Sequence, residues 1–188
     1  MSNTELMSPA YLTRDMAEAA VEAVVEAILD PAADSKLANA ANFVRPKRNQ
    51  CHVVVVVPGT SGSIDHDGGP DWMEKRATKP LVLFDKSFFG GRDTLDATFG
   101  PFARMKAHQL WYDRNDDRTG ILPHMLFDGD TVYWGGVKRY GIVVTCSGLQ
   151  PYIDKMISGM VADMLITMAH EAWMTSPETT EHKHFVGG

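Results

Sequence analysis

Five consecutive valines, Val53–Val57, make up most of the run from Cys51 to Val57, which stops at Pro58-Gly59. β-Branched side chains lose rotamer freedom in a helix and pack well on a pleated surface, so the run predicts a strand over Cys51–Val57. A strand with one wet face alternates polar and apolar residues. A continuous stretch of valines instead predicts a central strand covered on both faces. A chain of 188 residues, 44% apolar and 22% charged, has the material to bury such a core without disulfide or metal staples.

The elements around this strand follow from periodicity. Leu12, Met16, Ala20, Val24, Ala27 and Ile28 keep helical spacing and predict a helix over Thr13–Leu29, with Asp15 and Glu18 as a capping box and Pro31 as its stop. Glu18, Glu22 and Glu26 read as a solvated face. Pro31–Gln50, ending in Arg45-Pro46-Lys47-Arg48, reads as an irregular excursion, and Gly59–Pro70 as a turn-rich loop. A second strand is expected over Pro80–Asp85 and a second helix from Pro101 to Tyr112, with Phe102, Met105, Leu110 and Trp111 on its apolar side. Leu122–Leu126 reads as a short extended piece. Thr131–Trp134 and Gly141–Cys146 read as strands joined through Gly135, Gly136 and a Lys138-Arg139-Tyr140 turn. The last helix is expected over Tyr152–Trp173, where Ile153, Met156, Ile157, Met160, Val161, Met164, Leu165 and Met168 form an apolar stripe. A polar, loose tail follows from Thr175. The reading is an α+β single domain over residues 1–188, with N-terminal, middle and long C-terminal helices packed on a mainly antiparallel sheet.

Charge and cysteine usage narrow the function classes. A formal net charge of −6 argues against a nucleic-acid partner. No apolar run approaches a bilayer's thickness, so no membrane partner is expected. Met1 to Asp15 lacks the basic-then-apolar pattern of a secretory leader, and two cysteines in strand-like runs, Cys51 and Cys146, read as buried free thiols, able to pair only if their strands are neighbours. A cytoplasmic location is the expectation. The chain carries no CxxC, no HExxH and no glycine-rich phosphate loop.

The order of elements and four local sequences carry a family resemblance. A helix precedes a valine-rich strand. The second helix holds Ala103-Arg-Met-Lys106-Ala107, and Gly135-Gly136 precedes the penultimate strands. Gly141-Ile-Val-Val-Thr-Cys-Ser147-Gly148 then leads to Asp154 at the opening of the last helix. In these places the chain resembles the GlcG/HbpS (haem-degrading-domain) family, although it lacks that family's Asp-Gly hairpin turn. The resemblance implies a profilin-like αβ sandwich, a planar or tetrapyrrole ligand such as haem, and a homo-oligomer. It also implies a pocket bounded by Arg104, Lys106 and His108 of the second helix, the His124 segment, Trp134 and Gly135-Gly136.

Chemistry-bearing residues fit more than one function. His124 is the candidate haem-iron ligand or general acid/base; an unemployed loop histidine is its plainer role. His108 reads by default as a surface or boundary histidine. Arg104 and Lys106 would pair ligand carboxylates, and Trp134 would stack on a planar ring or fill the core. Asp65-His66-Asp67 with Asp71 matches no defined metal motif. Met156, Met160, Met164 and Met168 read as packing rather than axial ligands. Gly159, unfavourable inside a helix, implies close approach of another element or subunit. Asp154 reads as a helix cap. The first hypothesis is a small-molecule-binding protein for a carboxylated ligand. The second is a cofactor-independent enzyme (lyase, isomerase or hydrolase) on a small carboxylated intermediate, with His124 and Tyr152 as acid/base groups. The third is an oligomeric scaffold without pocket chemistry.

Overall fold

A computed structural model of the chain describes residues 6–30, 44, 46–60, 78–89, 97–115 and 123–177. The valine run is strand β1, Cys51–Gly59, and all of Cys51–Val57 is buried. It pairs antiparallel with β2 (Lys79–Phe88) on one side and β4 (Ile142–Ser147) on the other; β3 (Gly136–Arg139) pairs antiparallel with β4. The order among the described residues is therefore β2-β1-β4-β3, with β1 inside the sheet. Helices cover both faces, as an unalternating strand demands. The first helix, α1 (Arg14–Leu29), and the last, α3 (Pro151–Met174), pack on the face carrying Cys51, Val53, Val55 and Val57. The middle helix, α2 (Gly100–Trp111), packs on the opposite face against Val54, Val56 and Val143. No helix of the described residues is long and apolar enough to cross a membrane.

Several local expectations are corrected. The Asp15–Glu18 capping box does not form: Thr13 caps α1, its hydroxyl accepting the Met16 N–H at 3.2 Å. Thr13→Ala should cost about 1 kcal/mol in a urea melt. Glu18 is not only solvated, since it pairs with Lys86 on β2. Of the expected extended piece Leu122–Leu126, Leu122 lies outside the described residues and Pro123–Met125 forms a 3-10 turn. Thr131–Trp134 is not a strand. The strand begins at Gly136, and the hairpin turns at Tyr140-Gly141 rather than at Lys138-Arg139-Tyr140. Both turn residues have positive φ, 49° and 83°, as a two-residue loop matching the sheet's twist requires.

The methionines of α3 flank its buried stripe rather than form it. Ile153, Ile157, Val161, Ala162 and Leu165 are its fully buried apolar positions. Met156, Met160 and Met168 pack at their edges, while Met164 is exposed. Gly159 makes room for Arg139 of β3: a Cβ there would stand 3.2 Å from the guanidinium, which also donates to the Gly159 carbonyl. Cys51 and Cys146 lie on adjacent strands as free, buried thiols. Burial, and then the neighbouring Cys51 thiol, push the Cys146 thiol well above its ordinary range, so it stays protonated.

Candidate functional site

Strand alternation puts His52, Val54 and Val56 of β1 on the face covered by α2. Across on β2, Ser87 lies opposite His52 and Asp85 opposite Val54. A bulge then interrupts the ladder: Val55 faces Phe84, but Val56 faces Val82. The extra residue turns Leu83 and Phe84 both into the α1–α3 core and returns Val82 to the same face as Asp85. The α2 face thus has a polar end, at His52, Asp85 and Ser87, and an apolar end at Val54, Val56 and Val82.

The polar end is one hydrogen-bonded chain. His52, only 1% exposed, places Nδ1 2.7 Å from Ser87 Oγ and Nε2 2.6 Å from Asp85 Oδ1. Arg104 of α2 grips the same carboxylate with two bonds of 2.7 Å, from Nε to Oδ2 and from Nη2 to Oδ1. Burial alone would raise the Asp85 carboxyl. The bonds from Arg104 and His52 outweigh it and hold Asp85 below the usual carboxylate range. An ionised Asp85 can only accept, so His52 Nε2 carries a proton, and in that tautomer Nδ1 is the ring's acceptor for the Ser87 hydroxyl.

Beside this chain, between α2 and the β1–β2 edge of the sheet, is a cavity of about 280 Å³. Val54, Val56, Pro80 and Val82 form its sheet wall, and Ala107, Trp111 and Tyr112 its helix wall. Its polar groups are Asp85, Arg104 and His108. The imidazole of His108 stands edge-on to Tyr112 at 5.0 Å, and its Nδ1 lies 2.9 Å from Arg114 Nη2. Arg114 in turn pairs with Asp130, which also accepts the Phe127 N–H at 2.9 Å. The Arg114 hydrogen bond holds the Asp130 carboxyl low. This network ties the segment after the 3-10 turn to the end of α2.

Of the residues expected to form a pocket, Arg104 and His108 line this cavity and the others do not. Lys106 turns into the protein, 2% exposed, donating to the Cys146 carbonyl at 2.8 Å and to Asp154 Oδ2 at 3.1 Å. Gly135 and Gly136 are buried packing positions: a Cβ on Gly135 would meet Asp154 Cβ at 2.6 Å, and one on Gly136 would meet Leu110 Cδ1 at 2.6 Å. Trp134 is half-buried outside the cavity wall, and His124 is exposed on the 3-10 turn. Tyr152 is 56% exposed in the first turn of α3. Asp154 is not the N-cap, a place taken by Gln150, but it reaches back to accept the Leu149 N–H at 3.1 Å. The Asp65-His66-Asp67 and Asp71 group lies outside the described residues. Among those described, no three His, Cys, Asp or Glu side chains are arranged to hold a metal ion.

Sequence reading passed over His52, Asp85 and Ser87. One signal was present: His52 interrupts the otherwise apolar β1, and Asp85 and Ser87 fall among the polar residues that end the apolar run of β2. Comparison with known proteins finds no matching family model, no matching curated protein and no matching solved structure.

Proposed function

We propose that the chain is a small-molecule-binding protein whose site is the cavity between α2 and the β1–β2 edge. The observation that carries this reading is an apolar space of about 280 Å³ ending at an arginine whose position is already fixed. Convergent polar groups at the end of an apolar cleft are what a ligand site needs for orientation. The two bonds from Arg104 to Asp85 fix a guanidinium at the cavity wall, a cationic group that suits a carboxylate or another acceptor on the ligand. The aromatic wall of Trp111 and Tyr112 suits a flat or aliphatic body.

The volume sits at the lower end of the range of ligand pockets, which favours a compact carboxylated molecule over a tetrapyrrole. The imidazole on the cavity wall is His108. His124, the iron ligand that the family resemblance implies, stands outside that wall. The residues therefore fit haem less well than a smaller ligand.

Titration with 8-anilinonaphthalene-1-sulfonate, an aromatic body with one anionic group, tests the reading through the rise in the probe's own emission when it enters an apolar site. Val82 is 43% exposed on an edge strand, so Val82→Trp should fill the cavity with little cost to folding. Its expected effect is at least a tenfold weaker affinity, about 1.4 kcal/mol. Unchanged binding by a folded Val82→Trp protein overturns the assignment. A haemin titration separates the ligand classes: a Soret shift lost on His124→Ala would favour the tetrapyrrole.

A further inference from the structure

We propose that Ser87 is an acyl-accepting nucleophile activated by His52, giving the protein a hydrolytic activity toward small esters or thioesters. The inference does not rest on cavity binding. His52 uses one ring nitrogen for Asp85, on the cavity wall, and the other for Ser87, which is not one of the residues lining the cavity.

Three requirements for such chemistry are met in the fold. The nucleophile and base are within proton-transfer reach, with Oγ 2.7 Å from Nδ1. The base is oriented by a third group, Asp85, 2.6 Å from Nε2, itself clamped by Arg104. The nucleophile is accessible: His52 is buried within the sheet, but Ser87 is only part-buried, on the edge strand β2. Relative to the serine-protease arrangement, the two ring nitrogens exchange places while their roles stay the same. Two residues beyond Ser87, Phe89 has φ of 56°, a left-handed conformation that bulky side chains rarely adopt and that concentrates at functional sites.

In the reaction, Ser87 Oγ attacks the acyl carbonyl carbon as its proton passes to His52 Nδ1. The bond to the alkoxide or thiolate leaving group breaks, and His52 protonates that group. Water then attacks the Ser87 ester with His52 again as base. The products are a carboxylic acid and an alcohol or thiol, with no change in oxidation state. Ser87 and His52 are the catalytic residues, and Asp85 is a positioning residue that fixes the tautomer.

A fluorophosphonate probe, followed by peptide mass spectrometry on the full chain, tests this. The expected result is an adduct on Ser87, absent in Ser87→Ala and formed at least about 100-fold more slowly in His52→Gln. Asp85→Asn should lower the maximal labelling rate while leaving the probe concentration for half-saturation unchanged. Ser87→Cys keeps His52 in place and gives a second readout, since its thiol should react with iodoacetamide faster than a free cysteine. No adduct on the folded protein, an adduct elsewhere, or labelling of Ser87 at full rate in folded His52→Gln overturns the proposal. So does a Ser87→Cys thiol no more reactive than free cysteine.

Discussion

Replacing Lys106 with methionine will lower folding stability by about 3–5 kcal/mol at pH 7, the cost of leaving a buried carboxylate without its counter-charge. Lys106 and Asp154 have side chains only 2% and 3% exposed. The ammonium joins three elements, since it rises from α2 and holds both the end of β4, through the Cys146 carbonyl, and the first turn of α3, through Asp154. Burial already lifts the Asp154 carboxyl above its ordinary range, with Lys106 pulling it back, so the methionine variant will lift it further. A raised carboxyl stabilises the fold fully below the unfolded value near 3.8, and that contribution is lost as pH rises through the folded value. The deficit of Lys106→Met should therefore shrink as pH is lowered from 7 toward 5. Asp85 and Asp130, held below the usual range, destabilise the fold only at still lower pH. Urea melts of the single variant and of Lys106→Met/Asp154→Asn measure this. The double variant should recover most of the loss, because an amide oxygen still accepts the Leu149 N–H. A single-variant loss under about 1 kcal/mol, or one that grows on acidification, sinks this account.

The architecture was legible because its determinants are local or periodic. Unalternating valines required cover on both faces, and the sheet supplies it with α1 and α3 on one side and α2 on the other. What misled were positions where a neighbour decides. Thr131–Trp134 has β-branched and aromatic residues, yet Thr131 is held by Gln109 of α2, which donates to its carbonyl at 3.1 Å, and the strand starts only at Gly136. Gly159 implied close approach of another element or subunit, and the element that approaches is β3 of the same chain, through Arg139.

The site was far less legible, for a physical reason. His52, Asp85 and Ser87 come together only through the antiparallel register of β1 with β2, fixed over distances of 33 and 35 residues. The polar break at His52 in a valine-rich strand does not say which side chains of another strand it will meet. Strict alternation would also put Val82 and Asp85 on opposite faces, and a one-residue bulge reverses that. Arg104 and Lys106 looked equivalent by charge and helix position. They are two residues apart, so on a helix they point in different directions. One ends at the cavity and the other in the core beside Asp154.

Substituting alanine at Gly135 will cost about 2–6 kcal/mol, and its coupling to Lys106 distinguishes two views of the glycine pair. At φ of 125° the backbone is in a region that side chains rarely adopt, and an added Cβ would stand 2.6 Å from Asp154 Cβ and 3.0 Å from the Pro151 carbonyl. Relief would require the first turn of α3 to move off the sheet. That movement would stretch the Lys106–Asp154 pair and the bond from Ser158 Oγ to the Gly135 carbonyl, now 3.1 Å. Because Gly135→Ala and Lys106→Met both act on Asp154, their effects should fall short of additivity by about 0.5–3 kcal/mol in a double-mutant cycle. If the pair instead served as the ligand surface that the family resemblance implies, Gly135→Ala would leave the melt unchanged and weaken binding of the anilinonaphthalene probe. Close packing predicts the reverse: a large loss of stability, with binding kept by whatever fraction stays folded, since the cavity lies across the sheet's α2 face and Gly135 is not on its wall.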